Sequence, residues 1–180
     1  SAYLSAPKFE QRAVNHYEAL TPFIEKMFQR ISSRVKIEFV KYHPYENAQQ
    51  MRDEVSNTGI LKIASIDSSH EIFDEETNAK FRAIHDYMSH IQAIGSRGTD
   101  FTLRGEMAAY NAHLKTVPEQ AIPALFTEVV GQVCAYYNNG NKFAEQKICL
   151  LDGFDYTNVG IVDGYEINNK ELVKTNETPT

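Results

Sequence analysis

Apolar positions in the first third of the chain follow two different periods. Within residues 8–32 they recur with the three- and four-residue spacing of one helix face. The positions concerned are Phe23, Ile24, Met27, Phe28 and Ile31. Thr21 and Pro22 place a capping residue and a helix-starting proline inside this stretch, so we expect two helices or one kinked helix.

The pattern then changes to the two-residue alternation of a half-buried strand. Val35, Ile37 and Phe39 alternate with polar residues, and the apolar-rich run ILKIASI follows at 60–66. A short helix is expected between them. We therefore predict a small sheet with strands near 35–41 and 60–66.

Helical periodicity returns in the middle of the chain and continues almost to its end. The stretches concerned are about 75–93, 103–115, 116–137 and 142–151. Thr116 and Glu119 have capping-box spacing, and Pro123 predicts a kink or a delayed helix start. The remainder is rich in Gly, Asn and Asp and predicts loop, with one short strand near 165–167.

These elements predict an α+β fold in which a predominantly helical bundle packs with a small β-sheet. The length of 180 residues fits a single domain, 1–180. Within it we distinguish an N-terminal helical segment (1–33), a core that carries the polar motifs (34–152) and a loop-rich C-terminal extension with a frayed tail (153–180).

Charge and composition narrow the classes of partner and compartment. The formal net charge of −6 argues against nucleic acid or an anionic membrane as the main partner. No apolar run approaches the roughly 20 residues of a membrane span, and the start of the chain lacks a signal-peptide pattern. Cys134 and Cys149 are too few for a disulfide framework. We expect a cytoplasmic protein with an unknown small-molecule or peptide substrate and an unknown oligomeric state.

Three consecutive predicted helices each carry a polar pair on an otherwise apolar face. The pairs are Asp86 with His90, Glu106 with His113 (Tyr110 between them), and Glu128 with Gln132. Helices joined by short connections pack as neighbours, so we expect the pairs to face one another. In a regular helix His85 and His90 lie about 140° apart, so His85 is expected to point away unless the helix is broken or distorted there.

Several buried imidazoles and carboxylates favour a metal site, because a divalent ion offsets the cost of burying them. We expect zinc, manganese or iron bound by His90, Glu106 and His113, with His85 and Asp86 as further or orienting ligands. Glu128 is the expected general base.

Two alternatives remain open for these residues. Each pair can be a local hydrogen bond, a helix-dipole interaction or an ion pair, such as Glu128 with Lys147. A nucleophilic Cys134 or Ser89 is disfavoured, because Cys134 has no electropositive surroundings and neighbours on a helix do not face each other.

The polar pairs belong to a larger motif set. It comprises NAKFRAIHD at 78–86, His90, RGE at 104–106, His113, T-E-x-x-G-Q at 127–132 and AEQK at 144–147. Over roughly residues 35–152 this set resembles an uncharacterised family of tailed-phage proteins, including marine phages, with members in some bacteria. Family members often carry glycine where this chain has Ser89. The resemblance implies a phage origin and adds His85 and Arg82 to the site, but it implies no reaction.

The sequence thus leads to two functional hypotheses. The first is a phage-encoded, metal-dependent hydrolase. In it, Arg82, Arg104 and Lys147 hold an anionic substrate group, and Tyr110, Gln132 and Gln146 orient the ligands. The second is a non-catalytic accessory or interaction protein, in which the same polar residues form a structural network.

Overall fold

The computed structural model describes residues 1–66, 69–92, 98–157 and 159, together with the backbone of 165–168 and 171–174. Its N-terminal part consists of two short helices and one longer helix. They are α1 (Ala2–Ser5), α2 (Val14–Glu18), which follows a 3-10 turn at Gln11–Ala13, and α3 (Leu20–Ser32). The break between α2 and α3 falls at Ala19. Pro22 lies in the first turn of α3, where its missing N–H costs no intrahelical hydrogen bond. Of the two expectations for 8–32, separate helices are the one observed. The break falls at Ala19, however, so Thr21 lies inside α3 and is not its cap.

The small sheet is a parallel pair. β1 (Lys36–Val40) lies beside β2 (Ile60–Ala64), with Lys36 opposite Ile60. Parallel strands require a crossover connection, which here contains α4 (Ala48–Thr58). The side chain of Asn47 caps α4, and Gly59, with φ of 71°, ends it in a left-handed turn. Both predicted strands are confirmed.

The helix that carries the first polar motifs changes type along its length. α5 (Glu75–His85) begins at an Asp74 cap and continues directly as a π-helix at Asp86–Ile91. α6 (Leu103–His113) begins at a Thr102 cap. The helix expected over 75–93 therefore starts where predicted, but its last turn is wider than an α-helix.

A second π-helix interrupts the next helical region. A 3-10 turn at Glu119–Ala121 leads into α7 (Ile122–Phe126), which continues as a π-helix at Thr127–Gly131 and then as α8 (Gln132–Asn138). Pro123 lies in the first turn of α7. The expected delay of the helix start is confirmed.

The helix expected at 142–151 is wrong. This segment is extended, and Ile148 forms an isolated parallel bridge with Phe9. The N–H of Ile148 donates to the carbonyl of Lys8 at 2.8 Å, and the N–H of Lys147 donates to the hydroxyl of Tyr3 at 3.0 Å. Its backbone groups are thus satisfied by the N-terminal segment, which replaces the hydrogen bonds of a helix.

The C-terminal extension contains an antiparallel pair, β3 (Tyr165–Asn168) with β4 (Glu171–Lys174). The strand expected near 165–167 is therefore present. The frayed tail, and most of the loop predicted over 153–180, lies outside the described residues.

One hydrophobic core joins the helices to the parallel strands. Its largest fully buried members include Tyr17, Leu20, Ile24, Leu61, Ile63, Ile84, Tyr110 and Leu125. They come from α2, α3, β2, α5, α6 and α7, so the strand pair is one wall of a mainly helical interior. The predicted α+β, predominantly helical fold is confirmed.

Candidate metal centre

His85 and His90 face each other because the helix that carries them widens between them. The expectation that His85 points away assumed α-helical spacing. In the π-helix at Asp86–Ile91, i→i+5 hydrogen bonds close each turn, so residues five apart lie nearly one above the other. The two imidazole centroids are 4.9 Å apart, and the rings meet edge to face.

Glu106, in the first turn of α6, completes a triangle with the two imidazoles. Nε2 of His85 lies 3.0 Å from Oε2 of Glu106, and Nε2 of His90 lies 3.2 Å from Oε1. The two Nε2 atoms are 3.2 Å apart. The side chain of His90 is 1 % exposed, whereas those of His85 and Glu106 are 19 % and 16 % exposed. The triangle is therefore enclosed on the His90 side and reaches solvent along the His85–Glu106 edge.

A backbone carbonyl sets the hydrogen position on His90. Nδ1 of His90 lies 3.0 Å from the carbonyl oxygen of Thr99. The hydroxyl oxygen of Thr99 also lies 3.1 Å from this nitrogen. Because the carbonyl can only accept, its 3.0 Å contact requires that Nδ1 carry the hydrogen, and the hydroxyl oxygen can accept from the same N–H group. The neutral ring therefore presents an unprotonated Nε2 to the triangle, as metal-binding histidines do.

The segment that supplies this carbonyl packs directly on the end of the π-helix. A Cβ on Gly98 would lie only 1.4 Å from the carbonyl oxygen of His90, so a larger residue cannot fit without moving the backbone. Arg52, on α4, donates from Nη1 to the carbonyls of His90 at 2.9 Å and Thr99 at 3.3 Å. These contacts fix the His90 ring relative to the sheet side of the fold.

His113, at the end of α6, contacts the far nitrogen of His85. Nε2 of His113 lies 3.1 Å from Nδ1 of His85 and 2.9 Å from Oγ of Ser89. Nδ1 of His113 is buried with no hydrogen-bond partner in the part of the chain that the structure describes. Burial, reinforced by the charges of His85 and His90, lowers the pKa of His113 to about 3. The residue expected as a ligand is thus a neutral ring that lies behind His85.

Burial and neighbouring charges shift the pKa values of Glu106, His90 and Asp86. Burial alone would raise the pKa of Glu106, but His85 and His90, when protonated, place positive charge and hydrogen bonds against its oxygens and hold that pKa well below its usual range. Burial opposes protonation of His90, yet its contact with Glu106 raises the pKa of that ring. Burial raises the pKa of the neighbouring Asp86 carboxyl, although His90 and His85 act against it. The centre thus holds an ionised carboxylate that requires a cation or a proton beside it.

The dimensions of the triangle fit a metal ion. Within the described residues, His85, His90 and Glu106 form a group whose ligand atoms all lie within 4.8 Å of one another. An ion about 2.1 Å from each donor gives donor–donor separations of about 3.0 Å at right angles and about 3.4 Å at tetrahedral angles. The separation of 3.0 Å between Nε2 of His85 and Oε2 of Glu106 and that of 3.2 Å between the two Nε2 atoms lie between these values. The contact with His90, also 3.2 Å, is made by the other carboxylate oxygen, Oε1.

Glu128 and Gln132, the pair on the helix predicted over 116–137, lie in a different cluster. Oε1 of Glu128 accepts hydrogen bonds from the hydroxyl of Tyr17 at 2.8 Å and from Nε2 of Gln146 at 2.7 Å. Oε2 accepts from Nε2 of Gln132 at 2.9 Å. Nε2 of the buried His70 lies 3.6 Å from Oε1. The polar residues of two of the three predicted helices therefore converge. Glu128, on the remaining helix, lies apart from them and accepts its hydrogen bonds from neutral donors.

Two of the three basic residues expected to hold a substrate anion, Lys147 and Arg82, donate to backbone carbonyls. Nζ of Lys147 donates to the backbone carbonyls of Leu4 and Ala6 at 3.1 and 2.6 Å. Arg82 donates to the carbonyls of Ala64, the last residue of β2, and of Ile66, whereas Arg104 is exposed at the start of α6. The side chains of Lys147 and Arg82 are therefore engaged with backbone.

Tyr110 and the cysteines also lie apart from the triangle. The hydroxyl of Tyr110 donates to the carbonyl of Tyr156, which ties α6 to the C-terminal segment. Both cysteines are free thiols, and burial raises the pKa of Cys149 to about 11 and also raises that of Cys134. Neither thiol has the lowered pKa of an activated nucleophile.

Sequence reasoning missed Arg52 and Thr99. Arg52 lies on a helix that showed no polar motif. Thr99 contacts His90 through its backbone carbonyl, which every residue type possesses, and also through its hydroxyl, at 3.1 Å from Nδ1. A single threonine in a loop gives no sequence signal for either contact. Gly98 gave the nearest signal, since a glycine beside a predicted helix end permits close backbone approach.

Comparison with known proteins adds no relative to this geometry. No family model matches the chain, and no curated protein or solved structure matches it. Among the described residues, no helix combines the length and apolar character needed to cross a membrane.

Proposed function

We propose that His85, His90 and Glu106 bind one divalent transition-metal ion and that the protein is a metal-dependent hydrolase. The observation that carries this proposal is the close approach of two imidazole nitrogens, 3.2 Å apart, each of which contacts one oxygen of Glu106. His90 donates its only neutral-state hydrogen to Thr99, so its Nε2 lone pair faces the carboxylate of Glu106 at 3.2 Å. Two acceptors at that distance repel each other unless a cation or a proton lies between them.

A metal ion contacts all three donors at once, whereas protons can satisfy only part of the triangle. If Nδ1 of His85 donates to Nε2 of His113, then Nε2 of His85 is also free to bind the ion. Each histidine then has its outer nitrogen hydrogen-bonded, as is usual for metal ligands. Two imidazoles and one carboxylate are the ligand set of many catalytic zinc, manganese and iron sites.

The exposure of the triangle supports access for a substrate. His85 and Glu106 are partly exposed, so the open coordination positions would lie on the solvent side. A bound ion supplies Lewis acidity and activates water for hydrolysis. Asp86, rather than Glu128, is our candidate general base, because it lies beside both histidines and burial raises its pKa. The substrate is an unidentified small molecule or peptide.

The second hypothesis, a non-catalytic polar network, has one observation in its favour. The raised pKa of His90 and the lowered pKa of Glu106 also describe a buried imidazolium–carboxylate pair. In that case a single proton takes the place of the ion. The residues then fix the packing of α6 against the 86–91 π-helix, as buried polar networks do.

Metal analysis separates these hypotheses. The untagged protein is purified without chelators, its metal content is measured, and unfolding is followed with added zinc, manganese or iron(II). We expect stoichiometric metal and, at about a hundredfold excess over Kd, a stabilisation of about 2.7 kcal/mol. His90→Ala and Glu106→Gln should lose the ion, while the exposed His43→Ala should retain it. Absence of metal from the wild-type protein, with no stabilisation by any of the three ions, would falsify the metal proposal.

The resemblance of the motif set to tailed-phage proteins supports our proposal of a phage origin. The two free cysteines fit action in the reducing cytoplasm of a host cell. A hydrolase screen with the metal-loaded protein, using Glu106→Gln as the inactive control, tests the catalytic part of the proposal.

A further inference from the structure

A half-open cavity of about 210 Å³ lies between α3, the 86–91 π-helix and the end of α6. Its floor is apolar and comes from three helices. The floor residues are Met27 and Ile31 of α3, Tyr87 and Met88 of the π-helix, and Ala112 of α6. Because none of His85, His90 and Glu106 lines this cavity, it is separate from the candidate metal centre.

The rim of the cavity carries three cationic side chains, those of Arg30, Arg34 and Lys115. All three residues are exposed. None of these side chains forms a hydrogen bond or an ion pair with any residue that the structure describes. The chain has 24 acidic residues against 18 basic ones, so three unpaired cations at one cavity are not a consequence of composition.

Helix-end electrostatics explain only part of this arrangement. Arg30 lies in the last turn of α3 and Lys115 follows the end of α6, where positive charge is favourable. That effect acts on each helix separately. It does not account for the meeting of both residues, together with Arg34, around one apolar floor.

We infer that this cavity binds a small amphipathic anion, that is, a carboxylate or phosphate head group on an apolar body. Arginine side chains bind such head groups through paired hydrogen bonds, and the apolar floor matches the body. The volume corresponds to about seven water molecules, which admits a short acyl chain or one ring. It is too small for a folded peptide segment.

Octanoate and octyl phosphate are suitable probes, with acetate and octanol as controls that lack the tail or the charge. The four methionines supply a test in the unaltered protein when their methyl groups are isotope-labelled for NMR. We expect both probes to shift the methyl signals of Met27 and Met88 saturably. The signals of Met51 and Met107, which do not line the cavity, should stay in place.

A charge-matched pair of variants tests the role of the rim. The rim variant is Arg30→Gln/Arg34→Gln/Lys115→Gln, and the control variant is Lys8→Gln/Lys41→Gln/Lys142→Gln, at exposed positions that do not line the cavity. By calorimetry, the rim variant should bind both probes at least about tenfold more weakly, and the control variant should match the wild type. The relative affinities of the two probes distinguish a carboxylate from a phosphate ligand.

Three outcomes would overturn the inference. The first is that neither probe shifts Met27 and Met88. The second is that the rim and control variants bind equally well, or that octanol binds as tightly as octanoate. The third is that an acidic peptide binds through the rim cations while octanoate does not, which would assign the surface to a protein partner.

Discussion

His113 holds the far nitrogen of His85, with 3.1 Å between Nε2 of His113 and Nδ1 of His85. The two rings are stacked with an interplanar angle of 29°. His113 therefore reaches the proposed metal position only through His85. Its role in the proposal is to accept the Nδ1 hydrogen of His85 and so leave Nε2 of His85 free for the ion.

Replacing His113 with Phe should weaken metal binding without removing it. The aromatic ring fills the same space but cannot accept the hydrogen of His85. We expect the Kd for the metal to rise about 10- to 100-fold, less than for His90→Ala, as measured by chelator competition. The metal-free variant should remain within about 1–2 kcal/mol of wild-type stability, because the unsatisfied Nδ1 of His113 is removed while Nδ1 of His85 and the hydroxyl of Ser89 lose their acceptor. Unchanged metal affinity would contradict this role.

Gly98→Ala should disrupt the candidate centre by steric overlap. Its Cβ would lie 1.4 Å from the carbonyl oxygen of His90, so the 98–100 segment must move and Thr99 must withdraw its carbonyl from His90. We expect a loss of several kcal/mol in unfolding free energy, at the upper end for single substitutions, together with loss of metal.

Gly140→Ala is the matched control for Gly98→Ala. Gly140 has φ of 62°, and a Cβ there would meet no atom within 4 Å. Its cost should therefore be about 1–2 kcal/mol of backbone strain, with metal content unchanged. Equal effects of the two substitutions in urea unfolding and metal analysis would show that the steric argument is wrong.

Glu128→Gln should lower stability and leave the metal centre intact. The carboxylate of Glu128 accepts hydrogen bonds from donors on both oxygens, so an amide places an N–H group against at least one of them. We expect a loss of about 1–3 kcal/mol in the unfolding free energy. Metal content should equal that of the wild type, in contrast to Glu106→Gln. If the Glu128→Gln protein lost its metal but kept normal stability, Glu128 would belong to the candidate site after all.

Acid should weaken the fold partly through Glu54. The hydrogen bonds that Lys62 donates at 2.6 Å and Tyr45 at 2.5 Å lower the pKa of the Glu54 carboxyl. A folded-state pKa below the unfolded value, about 4.3, means that the unfolded chain binds the extra proton. The contribution is therefore complete above the unfolded pKa and disappears as the pH falls through the folded one.

Glu54→Gln is the variant that tests this pH dependence. It should flatten the curve of stability against pH in the acidic range, as measured by denaturant unfolding at several pH values. Tyr45→Phe, which removes one of the two donors, should flatten it in part. If both variants follow the slope of the wild-type curve, the contacts of Glu54 do not contribute to acid sensitivity.

The sequence was sufficient for the strands and most helix boundaries because these depend on local patterns. The alternation around Ile37 and the run 60–66 both identify strands, and Asp74 marks a helix start. Pro123 identified a delayed start for the same reason. Each of these signals depends on side-chain chemistry within a few residues of the boundary.

Two features differ from the sequence predictions because they depend on contacts between residues that are far apart in the chain. The segment that contains Lys147 looked helical, but its backbone pairs with the N-terminal residues Tyr3 and Lys8. The angular argument for His85 and His90 assumed a regular helix, and nothing in the residue pattern distinguishes an α-turn from a π-turn. The outcome depended on contacts across the fold, such as those of Arg52 with the carbonyls of His90 and Thr99.

The wide turn at Asp86–Ile91 makes the candidate site sensitive to a slip of one residue in helical hydrogen bonding. If this turn tightened to α-helical pairing, each later side chain would rotate about the helix axis, and His90 would swing away from Glu106. The domain need not unfold for this to occur. Arg52 and the 98–100 segment oppose the slip by holding the carbonyl groups at the end of the turn. The triangle can thus be assembled or dismantled by a change confined to one turn of helix.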